Sequence, residues 1–162
     1  MELKKLKDEL NRFGKYVVQQ ARTNLTKQNK NVNKTLYNSI GYNLEQTANG
    51  LTLSFEMEDY GVYQDKGVSG TKVKYNTPFK YTNKMPPPKA FDKWGIKRSI
   101  APRTKTGQFE KRKSLNFALA RSVYEKGIKP TYFFTNAFNR AFNLLPKDLE
   151  FALMIEITDN LE

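Results

Sequence analysis

Leu51-Thr-Leu-Ser-Phe-Glu-Met-Glu58 alternates without interruption. Leu51, Leu53, Phe55 and Met57 fall on one face, and Thr52, Ser54, Glu56 and Glu58 on the other. A period of two with apolar and polar sides is the pattern of a strand with one buried face. Asn49-Gly50 stands immediately before it, and both residues tolerate the positive φ that a tight hairpin turn needs. Upstream, residues 36–47 offer Ile40, Tyr42 and Leu44 on one face. Residues 36–47 and 51–58 therefore predict an antiparallel hairpin whose apolar face needs a cover.

The chain before the hairpin supplies that cover. Over residues 2–28, Leu3, Leu6, Leu10, Phe13, Val17, Ala21 and Leu25 recur at spacings of three and four, the stripe of one amphipathic helix. Gly14 weakens it slightly, and the polar run Asn29 to Asn33 ends it. After the hairpin, residues 59–67 predict a short helical turn closed by Gly67. Val68 to Pro88 reads as a long loop with an extended excursion at 73–75. Pro88 can open a short helix through Arg98 with Phe91, Trp94 and Ile96 as its core side.

Ser99 to Lys113 reads as a second loop, ordered only against a neighbour. Ser114 is the expected N-cap of a helix through Lys126, with Leu115, Ala118, Leu119 and Val123 inward and Gly127 as C-cap. A helix from Thr131 to Leu145 follows, then a last element that is a helix over Leu149–Leu161 or a strand over 151–157. The fold class is α+β: a long N-terminal helix and C-terminal helices packed on a small antiparallel β-sheet, with a long basic loop insertion. The expected organisation is one domain, 1–162, with the insertion at about 68–113. Its core is expected in Leu36–Gly67 and Ser114–Leu145.

Composition narrows the chemistry. The chain has no Cys, so it has no disulfide and no thiolate metal site. It has no His, which removes the commonest general base and the commonest metal ligand. Glu56 and Glu58 share the wet face of a strand, Ser39 and Ser114 have no His to activate them, and no Gly-rich loop ends in Gly-Lys-Ser or Gly-Lys-Thr. Asp65, between Tyr63 and Gly67, suits a turn or an interface better than catalysis. The reading is a non-enzyme with no cofactor and no metal. No apolar run approaches the roughly 20 residues of a membrane span, so a soluble chain that is not secreted is expected. The remaining enzyme reading, a Lys or carboxylate acting in a deep pocket, has no candidate residue.

The charge is concentrated. The net charge is +12, and the segment 66–113 alone holds 14 bases against Asp92 and Glu110. Three uses are open: a solubilising insertion, contact with nucleic acid, or docking on an acidic partner. Lys72, Lys74, Lys80, Lys84, Arg103, Lys105, Lys111 and Arg112 are the candidate contacts to such a partner or to DNA. Interleaved Tyr75, Phe79, Tyr81, Phe91 and Trp94 suit stacking on a single strand. With no sequence-reading module, any DNA contact is expected at phosphate.

Three stretches taken in order resemble a known family. They are Leu36-Tyr-Asn-Ser-Ile40 before the hairpin, Tyr60-Gly-Val-Tyr-Gln-Asp-Lys-Gly67, and Phe117 to Ala137 with Pro130-Thr-Tyr-Phe133 inside it. This set is similar to the neck and tail-completion proteins of tailed bacteriophages, which include minor tail proteins at the head–tail junction. The chain departs from that pattern in having Asn33-Lys-Thr35 where many members place a Gly, and in a longer basic segment.

The resemblance implies a structural subunit that forms a homo-oligomeric ring joining head to tail around the DNA channel. It implies a place in the virion neck or tail after assembly in the host cytoplasm. The implied partners are itself, neighbouring connector and tail proteins, and DNA in the channel, with no membrane. It marks Tyr60, Tyr63, Asp65, Gly67, Pro130 and Phe133 as motif and interface residues. The alternative is a sequence-independent nucleic-acid-binding protein.

Overall fold

The computed structural model describes residues 4–30, 34–47 and 50–150, and these form an α+β fold. The chain divides into two compact units, one made of Met1–Glu58 and Tyr132–Glu162 and the other of Asp59–Thr131. The second unit thus encloses the whole basic segment and extends beyond the 68–113 boundaries read from composition. The alternative readings of the last element over 151–161 lie outside the described residues.

The first unit is built on the hairpin. Strands β1 (Gly41–Thr47) and β2 (Gly50–Glu56) pair antiparallel, with Tyr42 opposite Phe55 and Leu44 opposite Leu53. Helix α1 (Lys4–Lys27) buries Phe13, Val17, Val18, Ala21 and Leu25, the stripe the sequence spacing predicts. Gly14 lies on the same face, where a Cβ would come within 2.6 Å of the Tyr42 ring. The residue that weakens the helix by propensity is what allows a strand tyrosine to lie against it. Helix α6 (Phe133–Phe142) closes the core with Phe133, Ala137 and Ala141. Phe55 is met edge-on by Phe13, Phe134 and Phe138, at ring distances of 5.3–6.2 Å. Such edge-to-face pairs add to the area term of burial.

Two local expectations change here. Strand β1 starts at Gly41, because Thr35–Ser39 form a helical turn, α2, closed by the Ser39 hydroxyl donating to Leu36 O at 2.9 Å. That turn sends Leu36 and Ile40 into the core, where both are buried. The helix expected over Thr131–Leu145 is α6: Phe134, Phe138 and Phe142 stack in sequence along it, but Phe142 is half exposed and the innermost positions belong to Phe133, Ala137 and Ala141. Residues 145–150 are again helical after a turn at 143–144.

The second unit contains α3 (Tyr60–Lys66), β3 (Val68–Ser69), a 3₁₀ turn Pro88–Phe91, α4 (Asp92–Lys97), α5 (Arg112–Lys126) and β4 (Gly127–Ile128). Helix α5 therefore belongs with the basic segment and not with the hairpin core expected of Ser114–Leu145. It begins at Arg112 with the extended Lys111 as its N-cap, three residues ahead of the expected Ser114 cap. Its inward face is displaced by one position: Asn116 and Ala120 are buried while Ala118 is exposed. The Asn116 amide reaches Asp92 at 3.3 Å, a polar contact that no apolar periodicity announces. Trp94 and Ile96, expected in the core, are exposed, and Gly95 is the buried residue of α4.

The stretch Ser99–Lys113, expected to order only against a neighbour, is a closed turn of its own. Thr104 N donates to Gln108 O at 2.8 Å and Glu110 N to Pro102 O at 2.9 Å. Among the described residues no helix is long and apolar enough to cross a membrane.

Candidate interaction surface

Within the second unit, the stretch Tyr60–Gly67 and the part of Phe117–Ala137 up to Thr131 meet at Gly67. Helix α3 ends there because Gly67 takes φ 75 and ψ 176, a region open in practice only to glycine. A Cβ at this position would lie 2.6 Å from Ile128 O and 2.7 Å from the Pro130 ring. Thr131, in the later stretch, then ties it to α3. Its N–H donates to Asp65 O at 3.1 Å and its hydroxyl to Gln64 O at 2.7 Å. Next to this, β3 pairs antiparallel with β4, Val68 opposite Ile128 and Ser69 opposite Gly127. Gly127 has φ 74 and ψ −166, and a Cβ there would strike Val68 O. A Cβ at Gly70 would strike Glu125 O. The crossing is therefore backbone against backbone.

Ser69 organises what composition marked as a loop. It is buried, its N–H donates to Phe79 O at 2.8 Å, and its carbonyl accepts from Tyr81 N at 2.9 Å. Its hydroxyl oxygen accepts from Tyr75 N at 3.0 Å and donates to Tyr75 O at 3.2 Å. Thr71 N and Lys72 N donate to Tyr124 O and Glu125 O, at 3.0 and 2.8 Å. Those carbonyls belong to the last turn of α5, which has no partners for them within the helix. The loop serves as the helix cap. Sequence reasoning missed Ser69; the only signal was its place between Gly67 and Gly70.

Around this frame lies an open pocket of about 640 Å³, walled by Tyr60, Tyr63, Phe79 and Tyr81 and lined also by Gln64 and Lys80. Tyr63 and Phe79 meet edge-to-face at 4.7 Å. Tyr60 is 48% and Tyr63 44% exposed, so two large rings stand half in water. The Tyr81 hydroxyl is pushed above its ordinary pKa by burial.

The candidate cations are not equivalent. Lys72 is bridged to Glu125 at 2.8 Å, and Lys74 Nζ donates to Gly70 O at 3.0 Å. Arg103 donates to Gly107 O at 3.0 Å and lies 4.0 Å above the exposed Phe109 ring. Lys80, Lys84, Lys105, Lys111 and Arg112 are exposed. Of the motif residues, Tyr60 and Tyr63 face solvent, Asp65 and Gly67 are buried, Pro130 packs on Gly67, and Phe133 is fully buried in the core of the first unit. Among the described residues no cluster of three or more carboxylates is placed to hold a metal. No family model, no curated protein and no solved structure matches this chain.

Proposed function

We propose that the chain is a ring-forming structural subunit of a tailed-bacteriophage neck or tail upper end. The observation that carries this is the joining of two of the three resembling motifs. Tyr60–Gly67 and Phe117–Ala137 are far apart in sequence, yet Gly67 sits against Pro130, and Thr131 bonds to the carbonyls of Gln64 and Asp65. Motifs chosen for their order in the chain form one piece of architecture, which leaves Tyr60 and Tyr63 exposed as large aromatic contacts of the kind interfaces favour. In this reading the chain is not an enzyme, takes no cofactor, and resides in the virion after assembly in the host cytoplasm.

Electron microscopy of the purified full chain and of the particle that carries it tests the assignment. Closed rings, or density for the chain at the head–tail junction, are expected. A chain that stays monomeric and is absent from tailed particles overturns it. The docking role of the basic segment is tested by reversing Lys80 and Lys84, since Lys72 and Lys74 are engaged within their own unit. Unchanged joining of heads and tails would remove that role.

A second reading, sequence-independent nucleic-acid binding, is favoured by the exposed Phe109 ring under the Arg103 guanidinium. It predicts binding of the isolated chain to any single strand with steep salt dependence.

A further inference from the structure

The second unit has an open backbone edge beside its aromatic pocket. Residues 79–81 run alongside Ser69 as a parallel bridge, with Phe79 O and Tyr81 N both bonded to Ser69. In an extended segment successive peptide groups point to opposite sides. The N–H and C=O of Lys80 therefore point away from Ser69, and neither makes a hydrogen bond among the described residues. Pro78, which cannot donate to a ladder, stands just before this segment, as proline does on edge strands. An unpaired donor and acceptor on an edge are a template for one more strand.

The pocket adds specificity to that edge. Phe79, Lys80 and Tyr81 line it together with Tyr60, Tyr63 and Gln64. The Gln64 amide nitrogen is buried and has no hydrogen-bond partner. A buried donor without an acceptor carries a cost, and a turn of the Gln64 side chain towards a ligand carbonyl or carboxylate would relieve it. No carboxylate lines the pocket, and the surrounding segment 66–113 holds 14 bases against two acids.

We propose that an extended acidic peptide of a partner protein adds as a strand along residues 79–81. It hydrogen-bonds the N–H and C=O of Lys80 and seats one apolar side chain between Tyr60, Tyr63, Phe79 and Tyr81. Backbone pairing supplies affinity and the pocket selects the anchor side chain, the general logic of strand addition. The edge favours peptide over nucleic acid because Lys80 presents both a donor and an acceptor, while a phosphodiester backbone offers acceptors alone. Flanking carboxylates on the peptide answer the charge of the unit. The inference rests on the ring reading only for the source of the peptide, a neighbour in the neck. Binding is measured on the chain by itself, so its failure leaves the ring test standing.

The probe is a short fluorescein-labelled peptide in which Glu and Val alternate around one central Phe. A version with Lys for Glu and a labelled oligo-dT serve as competitors for the assignment. Fluorescence anisotropy with the full chain is expected to show saturable binding of the acidic peptide, roughly tenfold or more tighter than the Lys version. Amide exchange read by NMR is expected to show new protection at the Lys80 N–H. Tyr63→Ala is expected to weaken binding roughly tenfold, and Gln64→Leu, a milder change, to weaken it less while the chain stays folded.

Binding without protection of the Lys80 amide would overturn strand addition. Equal affinity for both peptides, binding of oligo-dT but not the acidic peptide, or no binding at millimolar peptide would each overturn the proposal.

Discussion

The two units of this chain reach a folded state by different means. The stretches 1–58 and 132–162 carry 11 bases and 11 acids, while 59–131 carries 17 bases and five acids. Of the twelve apolar side chains buried among the described residues, ten are in the first unit; the second has only Val68 and Ala120. The first is neutral and held by hydrophobic area. The second is cationic and held by backbone pairing at Ser69, by glycines at points of close approach, and by the loop that caps α5. A segment with that much like charge and little apolar core depends on polar geometry, and polar geometry is lost more abruptly when one atom is misplaced.

The largest effect is expected in the first unit, where substitution removes or poisons buried area. Phe133 is completely buried. Phe133→Ala should cost about 3–5 kcal/mol, the range for truncating a buried aromatic ring, read from denaturant unfolding of the full chain. Leu53→Asp and Phe134→Asp place a charge on the aromatic cluster of α1, β2 and α6 and should abolish soluble expression. Normal melting of either Asp variant would mean that the cluster is not the core.

The glycines of the second unit come next. Gly67→Ala and Gly127→Ala each force a side chain into a backbone region that costs on the order of 1–3 kcal/mol, and each Cβ also meets a carbonyl. The expected signature is local: amides of residues 68–81 and 124–128 lose exchange protection, while those of α1 keep theirs. Uniform loss of protection along the chain would erase the contrast between the units.

That contrast also explains what could be read from the sequence. The inward face of the hairpin, the α1 stripe and the helix ends at Gly67 and Gly127 were legible because each leaves a local pattern: alternation, a three–four spacing, a glycine after a helical run. The register was not, since Gly50, read as a turn residue, pairs with Thr47 inside the ladder. The inward face of α5 was not, because Asn116 is buried through a hydrogen bond to Asp92, residues distant in sequence. Ser69 was hidden for the same reason, since its partners are backbone atoms at 75, 79 and 81. The pocket was half legible. Phe79 and Tyr81 stood out among the lysines, and Tyr60 and Tyr63 in the motif before them, but neither pattern shows that Tyr63 and Phe79 meet as a wall.

Ser69→Ala is the sharper probe of the polar frame. It deletes one hydroxyl that serves Tyr75 at both its N–H and its carbonyl. A net loss of about 1–3 kcal/mol is expected, because the part-buried Tyr75 N–H is left without an acceptor. Limited proteolysis should then cut within 70–84 faster than in the parent chain. An unchanged cleavage rate would transfer the ordering role from the side chain of Ser69 to its backbone bonds alone.

The smallest effect concerns the charge network at the end of α5. Glu125 is held below the ordinary carboxylate pKa, first by its hydrogen bond from Lys72 and then by that from Arg121. A carboxyl group whose pKa is depressed on folding contributes stability that is present above its unfolded-state value and fades as pH falls through its folded value. Both partners are well exposed, so the contribution is small and shrinks further with added salt. The direct measurement is the side-chain carboxyl carbon of Glu125 followed by NMR as pH is lowered. In the parent chain its midpoint should lie below the ordinary carboxylate value. Lys72→Ala should move it upward, and Arg121→Ala should move it less. The order matters because Lys72 also donates its backbone N–H to the Glu125 carbonyl. If Arg121→Ala has the larger effect, the tether between the loop and α5 is a backbone one, and the Lys72 side chain is free to serve the partner that the rest of the basic segment awaits.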